Sequence, residues 1–128
     1  MSSAVPDGLA AEIVAVLRGA GARFALLHGS RAAGSARADS DVDVAAWWPS
    51  HPPPAFEVLV PPGIDLVVLN GAPLELAGRI ALHGRVLFDD DPPARIRWTA
   101  TTRKIYADEG PRLQRSHHEF AEAVRRGR

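Results

Sequence analysis

The sequence predicts an α+β domain in which a small mixed β-sheet carries helices packed mainly on one face. Three short, mostly apolar runs, at 23–28, 42–47 and 64–69, have the length and composition of buried strands. Apolar residues also recur at helical spacing, first at Leu9 and Ile13. Strands interleaved with helices in a chain of 128 residues predict a single domain over residues 1–128.

The elements in the first half of the chain are separated by residues typical of caps and turns. Asp7 is the predicted N-cap of the first helix, which Gly19 and Gly21 end. The strand over 23–28 follows, and then the strand over 42–47. The next connection, 48–63, contains six prolines, so we expect a loop with a short extended piece, FEVLV, rather than a central strand.

The second half alternates between helix and strand signals. Pro73 opens a helix that Gly84 ends, and a short strand covers 86–88. A further helix begins at Asp91–Pro92. Because proline removes a helical hydrogen bond, Gly110–Pro111 predicts a break before a separate last helix.

Composition excludes several classes of protein. There is no cysteine, so disulfides and thiolate metal sites are excluded, which fits a reducing cytoplasm. The net charge is zero, so we expect no direct nucleic-acid binding through a broad basic surface. Glu12 and Arg18 interrupt the first apolar stretch, so we expect no signal peptide or membrane span there.

Three aspartates carry the strongest chemical signal. Asp41 and Asp43 are two residues apart on a predicted strand, so their side chains point to the same face. Asp65 lies inside the apolar strand IDLVVL, where a lone buried carboxylate would be costly. If the two strands pair, the three carboxylates converge and need a cation. Oxygen ligands favour Mg²⁺, and two ions about 3.5–4 Å apart suit phosphoryl or nucleotidyl transfer.

A glycine–serine turn precedes these carboxylates by ten residues. Gly29 lets backbone N–H groups approach a phosphate closely, and the start of a following helix would favour negative charge. Ser30 offers a hydroxyl donor, and Arg31 offers a charged one. The turn therefore predicts a phosphate-binding loop beside the metal ligands.

The stretch HGSRAAGSARADSDVDV resembles the signature of nucleotidyltransferases of the DNA polymerase beta superfamily. The pattern is Gly-Ser, ten residues, Asp-x-Asp, and a third acidic residue on a later strand, which covers 28–69. The stretch also looks like the minimal nucleotidyltransferase branch, the MntA-type antitoxins of paired HEPN toxins, as does RIALHGRVLFDDD downstream. The resemblance implies a polymerase beta-like palm fold.

The resemblance also implies roles, residue by residue. Asp41 and Asp43 would bind both Mg²⁺ ions, and Asp65 would bind the catalytic ion and help to deprotonate the acceptor. Gly29 and Ser30 would hold the phosphates of ATP. Within the same stretch, Arg31 and Ser40 are further candidates for nucleotide binding.

The implied reaction is transfer of AMP from ATP to a tyrosine of a HEPN RNase toxin, which would be silenced. A chain of this size leaves no room for a second domain that holds an acceptor, which independently favours a protein acceptor. Two alternatives stay open: transfer to a small molecule such as an aminoglycoside, and an antitoxin that neutralises only by binding.

Three further side chains have open roles. His28 borders the phosphate turn and either closes a hydrogen bond or contacts the nucleotide. Trp98 and Tyr106, eight residues apart on one predicted helix, fit packing or a partner face, and Tyr106 could also accept AMP.

Overall fold

The computed structural model describes residues 5–29 and 41–125, with side chains described up to residue 109 and at Arg112. Within these ranges the chain forms three α-helices, four β-strands and one short 3₁₀ helix, in an α+β arrangement. In chain order the elements are α1 (Asp7–Gly19), β1 (Phe24–His28), β2 (Val42–Trp47), the 3₁₀ helix (Ala55–Glu57), β3 (Ile64–Val68), α2 (Leu74–His83), β4 (Arg85–Asp89) and α3 (Pro92–Arg125).

The four strands form one mixed sheet in the order β3-β2-β1-β4. β1 pairs antiparallel with both β2 and β4, whereas β2 and β3 run parallel. Parallel neighbours need a crossover connection, and the segment between Trp48 and Gly63 provides it. The mixed sheet confirms the predicted fold class.

Successive side chains of a strand point to opposite faces of the sheet, so the core has one part on each face. The first face, covered by α1, buries Ile13 and Leu17 completely against Ala25 and Val44. The crossover connection adds Val58 to the same cluster. This face is therefore an uninterrupted apolar core.

The second face is covered by α2 and α3, so two of the helices, including the longest, pack on one side as predicted. Phe24, Leu26 and Ala45 form its centre, and Ile80 of α2 and Ala94 of α3 pack against them. The Phe24 ring also stacks on Trp47, with ring centroids 5.3 Å apart.

A glycine lets α2 and α3 approach each other closely. A Cβ at Gly78 of α2 would overlap the Tyr106 ring of α3. Arg103 of α3 also donates a 2.7 Å hydrogen bond from Nε to the Ala81 carbonyl. Tyr106 is thus a packing residue, one of the roles the sequence left open.

The two tryptophans that follow each other in the chain have different environments. Trp48 is buried and donates from Nε1 to the Ala20 carbonyl at 3.0 Å, whereas Trp47 is half-buried. The Asn70 side chain accepts from the Trp48 N–H at 3.0 Å and donates to its carbonyl at 2.7 Å. Asn70 therefore fastens the carboxyl end of β3 to that of β2.

Three local predictions were wrong. Asp7 is the first residue of α1 rather than its N-cap, which is Pro6 with no side-chain cap. The piece expected to be extended begins as the 3₁₀ helix at Ala55–Glu57. Gly110–Pro111 does not break the last helix, because α3 continues to Arg125. A proline inside a helix usually costs about 3 kcal/mol, so the local sequence favoured a helix end at this point.

Candidate active site at the ends of three strands

A row of three polar residues crosses the sheet at one end of β1, β2 and β3. His28, the last residue of β1, pairs with Asp43 of β2, and Asp43 pairs with Asp65 of β3. Residues paired in this way share a face of the sheet, and neighbouring strands lie about 4.8 Å apart. The alternation of β2 places Asp43 on the second face, opposite to Val42 and Val44.

The predicted meeting of the aspartates is therefore found for Asp43 and Asp65. Asp41 directly precedes β2 and is exposed, so it lies at the same end of the sheet. The candidate nucleotide-binding residues Ser30, Arg31 and Ser40 lie outside the described residues.

One premise of the prediction for Asp65 was wrong. The carboxylate was expected to be buried in an apolar strand, but Asp65 is exposed. β3 is an edge strand of the sheet, and Asp65 stands near its start, beyond the apolar packing of Val67. Its position is thus accessible to a ligand without a large desolvation cost.

Gly29 is required by both conformation and space. It has a φ of +67°, in the left-handed region that L side chains rarely adopt. A Cβ at this position would overlap Oδ2 of Asp43. The absence of a side chain therefore lets the Asp43 carboxylate lie directly against the backbone of the turn.

His28 is half-buried, as is Asp43. Burial lowers the pKa of its imidazole, the carboxylates of Asp43 and Asp65 oppose that shift, and the guanidinium of Arg79 adds to it. The ring is consequently neutral near pH 7. Its Nε2 is buried and has no hydrogen-bond partner among the residues that the structure describes. A buried polar atom left in this way is unusual and is often completed by a ligand.

A pocket of about 360 Å³ opens beside this row on the second face. Its lining joins the end of β1 to one side of α2: His28, Gly29, Leu76, Arg79, Ile80 and His83. Neither Arg79 nor His83 was singled out from the sequence. Their spacing of four residues, which puts them on one helical face with Ile80, was the available signal.

The donor set fits Mg²⁺ only as part of a complex with a nucleotide. Within the described ranges, no group of three or more His, Asp or Glu side chains is arranged to hold a metal ion. Asp43 and Asp65 nevertheless offer carboxylate oxygens on adjacent strands. Mg²⁺ is commonly bound by one or two carboxylates together with substrate phosphates and water, and the paired aspartates suit that mode.

Comparisons with known proteins bear on the fold. No protein-family model matches the chain, and no curated protein matches it significantly by sequence. Among solved structures, a toxin–antitoxin complex with AMP-PNP contains a chain that is 20% identical, with a TM-score of 0.70 over 90% of this chain and 97% of that one. This chain therefore shares its fold with a chain of that complex.

Two more complexes contain chains of the same fold. A MntA–HepT toxin–antitoxin complex gives a TM-score of 0.62 at 17% identity, over 93% of this chain and 98% of that one. A Shewanella oneidensis complex of a tri-AMPylated HEPN toxin with its MNT antitoxin gives 0.65 at 18% identity, over 91% and 95%. The resemblance read from the sequence is thus confirmed at the level of the fold.

The described helices carry no candidate membrane span, because none combines sufficient length with sufficient apolar character.

Proposed function

We propose that this chain is a Mg²⁺-dependent nucleotidyltransferase that moves AMP from ATP to a tyrosine hydroxyl of a HEPN toxin and thereby acts as its antitoxin. The observation that carries the proposal is the row His28–Asp43–Asp65 against the backbone of Gly29. It combines carboxylates for a metal-bound triphosphate with a glycine turn that a phosphate can approach.

The fold comparisons support the class of partner and donor. The similar chains come from complexes between MNT antitoxins and HEPN toxins, one solved with AMP-PNP and one with a tri-AMPylated toxin. An ATP donor and a protein acceptor for this chain are consistent with both. We place the reaction in the cytoplasm and assign it to one domain over residues 1–128.

In the proposed reaction, the acceptor oxygen forms a bond to the α-phosphorus of ATP. The bond between that phosphorus and the bridging oxygen to the β-phosphate breaks, and pyrophosphate leaves. Asp65, which is exposed, would help to remove the proton from the acceptor hydroxyl, and Asp41, Asp43 and Asp65 would supply ligands for the metal. When bound, Mg²⁺ would stabilise charge on the phosphates and lower the pKa of the hydroxyl.

Gly29 and Ser30 would hold the phosphates, with Arg31 and Ser40 as further contacts. The close approach of the Asp43 carboxylate to Gly29 would keep the phosphate turn and the metal ligands at a fixed separation. Such positioning contributes much of the rate enhancement in phosphoryl and nucleotidyl transfer.

The test is transfer of label from α-labelled ATP to the product of a HEPN-type reading frame next to the gene for this chain, where one is found. The unmodified protein should label that partner in Mg²⁺, and Asp43→Asn should reduce the label by about a thousandfold, as expected for loss of a main electrostatic contact. Asp7→Asn is the matched control, since Asp7 is exposed in the first turn of α1 and should leave labelling unchanged.

Toxin neutralisation should be followed in the same variants. Neutralisation that survives in Asp43→Asn without label would instead indicate an antitoxin that acts by binding. Label found on a small molecule but never on the partner would overturn the proposed acceptor.

A further inference from the structure

The pocket beside the carboxylate row carries a charged side chain, Arg79, that the metal ligands do not explain. Leu76, Arg79, Ile80 and His83 follow the i, i+3, i+4, i+7 pattern along α2, so they share one face of that helix. Leu76 and Ile80 form an apolar floor, and Arg79 and His83 are exposed at its rim. A pocket of this composition suits an anion that enters from solvent.

The other wall of the pocket belongs to the candidate active site. His28 and Gly29 line the pocket and are also the residues next to Asp43 in the row. Arg79 is close enough to His28 to influence its charge state. The pocket and the carboxylates are therefore continuous, with Gly29 between them.

We propose that this pocket holds the β- and γ-phosphates of the nucleoside triphosphate, and afterwards the pyrophosphate product, with Arg79 as the main charged contact. The inference rests on the proposed function. The α-phosphate must lie at the carboxylates, where its bond breaks. The next two phosphates then extend past Gly29, and Arg79 is positioned to receive them from α2.

Arginine suits this position because its planar guanidinium forms two parallel hydrogen bonds to phosphate oxygens. The buried Nε2 of His28, which has no hydrogen-bond partner within residues 5–29 and 41–125, gives the pocket a second polar atom to which a phosphate oxygen or its bound water can hydrogen-bond. Positive charge here would also stabilise the leaving pyrophosphate, whose negative charge grows as the bond breaks.

The experiment measures binding of ATP, inorganic pyrophosphate and adenosine in Mg²⁺ by titration calorimetry. Arg79→Gln should weaken ATP and pyrophosphate binding by about tenfold or more, the usual loss for one charged hydrogen bond to a phosphate. Adenosine binding should not change. Arg79→Lys, which keeps the charge but loses the bidentate geometry, should recover part of the pyrophosphate affinity.

Arg97→Gln is the matched control, since Arg97 is exposed on α3 and lines a separate pocket with Trp47 and Trp98. It removes the same charge and should leave pyrophosphate binding intact. A thermal unfolding curve for each variant checks that the protein is folded at the temperature of the binding measurement.

Pyrophosphate binding by Arg79→Gln equal to that of the unmodified protein would overturn the inference, as would no pyrophosphate binding by the unmodified protein. Loss of adenosine affinity in Arg79→Gln would assign the pocket to the nucleoside instead. These results are separable from the proposed function. If the unmodified protein transfers AMP but Arg79→Gln binds pyrophosphate normally, only the pocket assignment is rejected. If Arg79→Gln selectively loses pyrophosphate affinity but the unmodified protein transfers no AMP to the partner, only the acceptor reaction is rejected.

Discussion

The two faces of the sheet divide stability from chemistry. The face under α1 is apolar along the strands and completely buries Ile13, Leu17 and Val44. The opposite face begins with an apolar centre around Phe24 but ends in the polar row and its pocket. Because successive residues of β2 alternate between the faces, Val44 can anchor the core while Asp43, beside it, is directed to the site. Changes on the two faces should therefore have different consequences.

The largest expected effect on stability comes from the α1 face. Ile13→Ala should lower the free energy of unfolding by about 2–5 kcal/mol, since it deletes a completely buried side chain and leaves a cavity. Urea unfolding measures this loss. At a low temperature at which Ile13→Ala remains folded, this variant should still transfer AMP.

Asp65→Asn, on the opposite face, should affect activity rather than stability. Asp65 is exposed, so its replacement should change the free energy of unfolding by no more than about 0.5 kcal/mol, while transfer is lost. A large loss of stability in Asp65→Asn, or loss of transfer in folded Ile13→Ala, would contradict the division between the faces.

Gly29→Ala should have an intermediate effect. The positive φ of Gly29 makes a side chain unfavourable by about 1–2 kcal/mol, and the added Cβ displaces the Asp43 carboxylate. Transfer of AMP should fall by at least about tenfold, since even small misplacement of a catalytic group is costly.

Gly71→Ala provides the control for backbone strain alone. Gly71 has a similar φ of +78°, but a Cβ there would meet no atom within 4 Å. The unfolding midpoint of Gly71→Ala should fall by about as much as that of Gly29→Ala. Its transfer of AMP should equal that of the unmodified protein. Equal loss of transfer in both variants would show that strain, rather than the contact with Asp43, governs the activity.

The smallest expected effect concerns an ion pair at the edge of the α1 face. Arg18 donates to Asp90 at 2.8 and 2.7 Å and lies over the Phe88 ring at 5.1 Å. The hydrogen bond from Arg18 holds the pKa of Asp90 below its usual value. A depressed carboxyl pKa stabilises the folded protein above the unfolded-state pKa, and that stability is lost as pH falls through the folded-state pKa.

Asp90→Asn should therefore lower the unfolding midpoint slightly at pH 7 and less as the pH falls below about 4. Salt should reduce the difference at pH 7, because the pair is exposed and screened. Melting curves over pH and salt measure both trends, and a difference that grows in acid would contradict this assignment.

Sequence patterns predicted the elements wherever local and tertiary preferences agreed. The strand 42–47 has the predicted bounds, because its apolar residues are buried on both faces of the sheet. The pairing of Asp43 with Asp65 also followed from placing both on neighbouring strands. The exposure of Asp65 was not predictable, since composition does not reveal that β3 lies at an edge.

Two other features depended on contacts that a linear pattern does not show. Gly110–Pro111 predicts a helix end locally, but α3 is continuous in the structure. Arg79 resembles any exposed helical cation until α2 is placed against the end of β1, where Gly29 and His28 form the facing wall. Tertiary placement, rather than residue type, gives Arg79 its significance.

The central claim is that the carboxylate row binds a nucleotide through a divalent cation. Titration of a non-hydrolysable ATP analogue, with and without Mg²⁺, tests it without a partner protein. We expect saturable binding that requires Mg²⁺ and is weakened by at least about tenfold in Asp43→Asn, since that variant removes a charged metal ligand. Equally tight binding without Mg²⁺, or by Asp43→Asn, would contradict the claim.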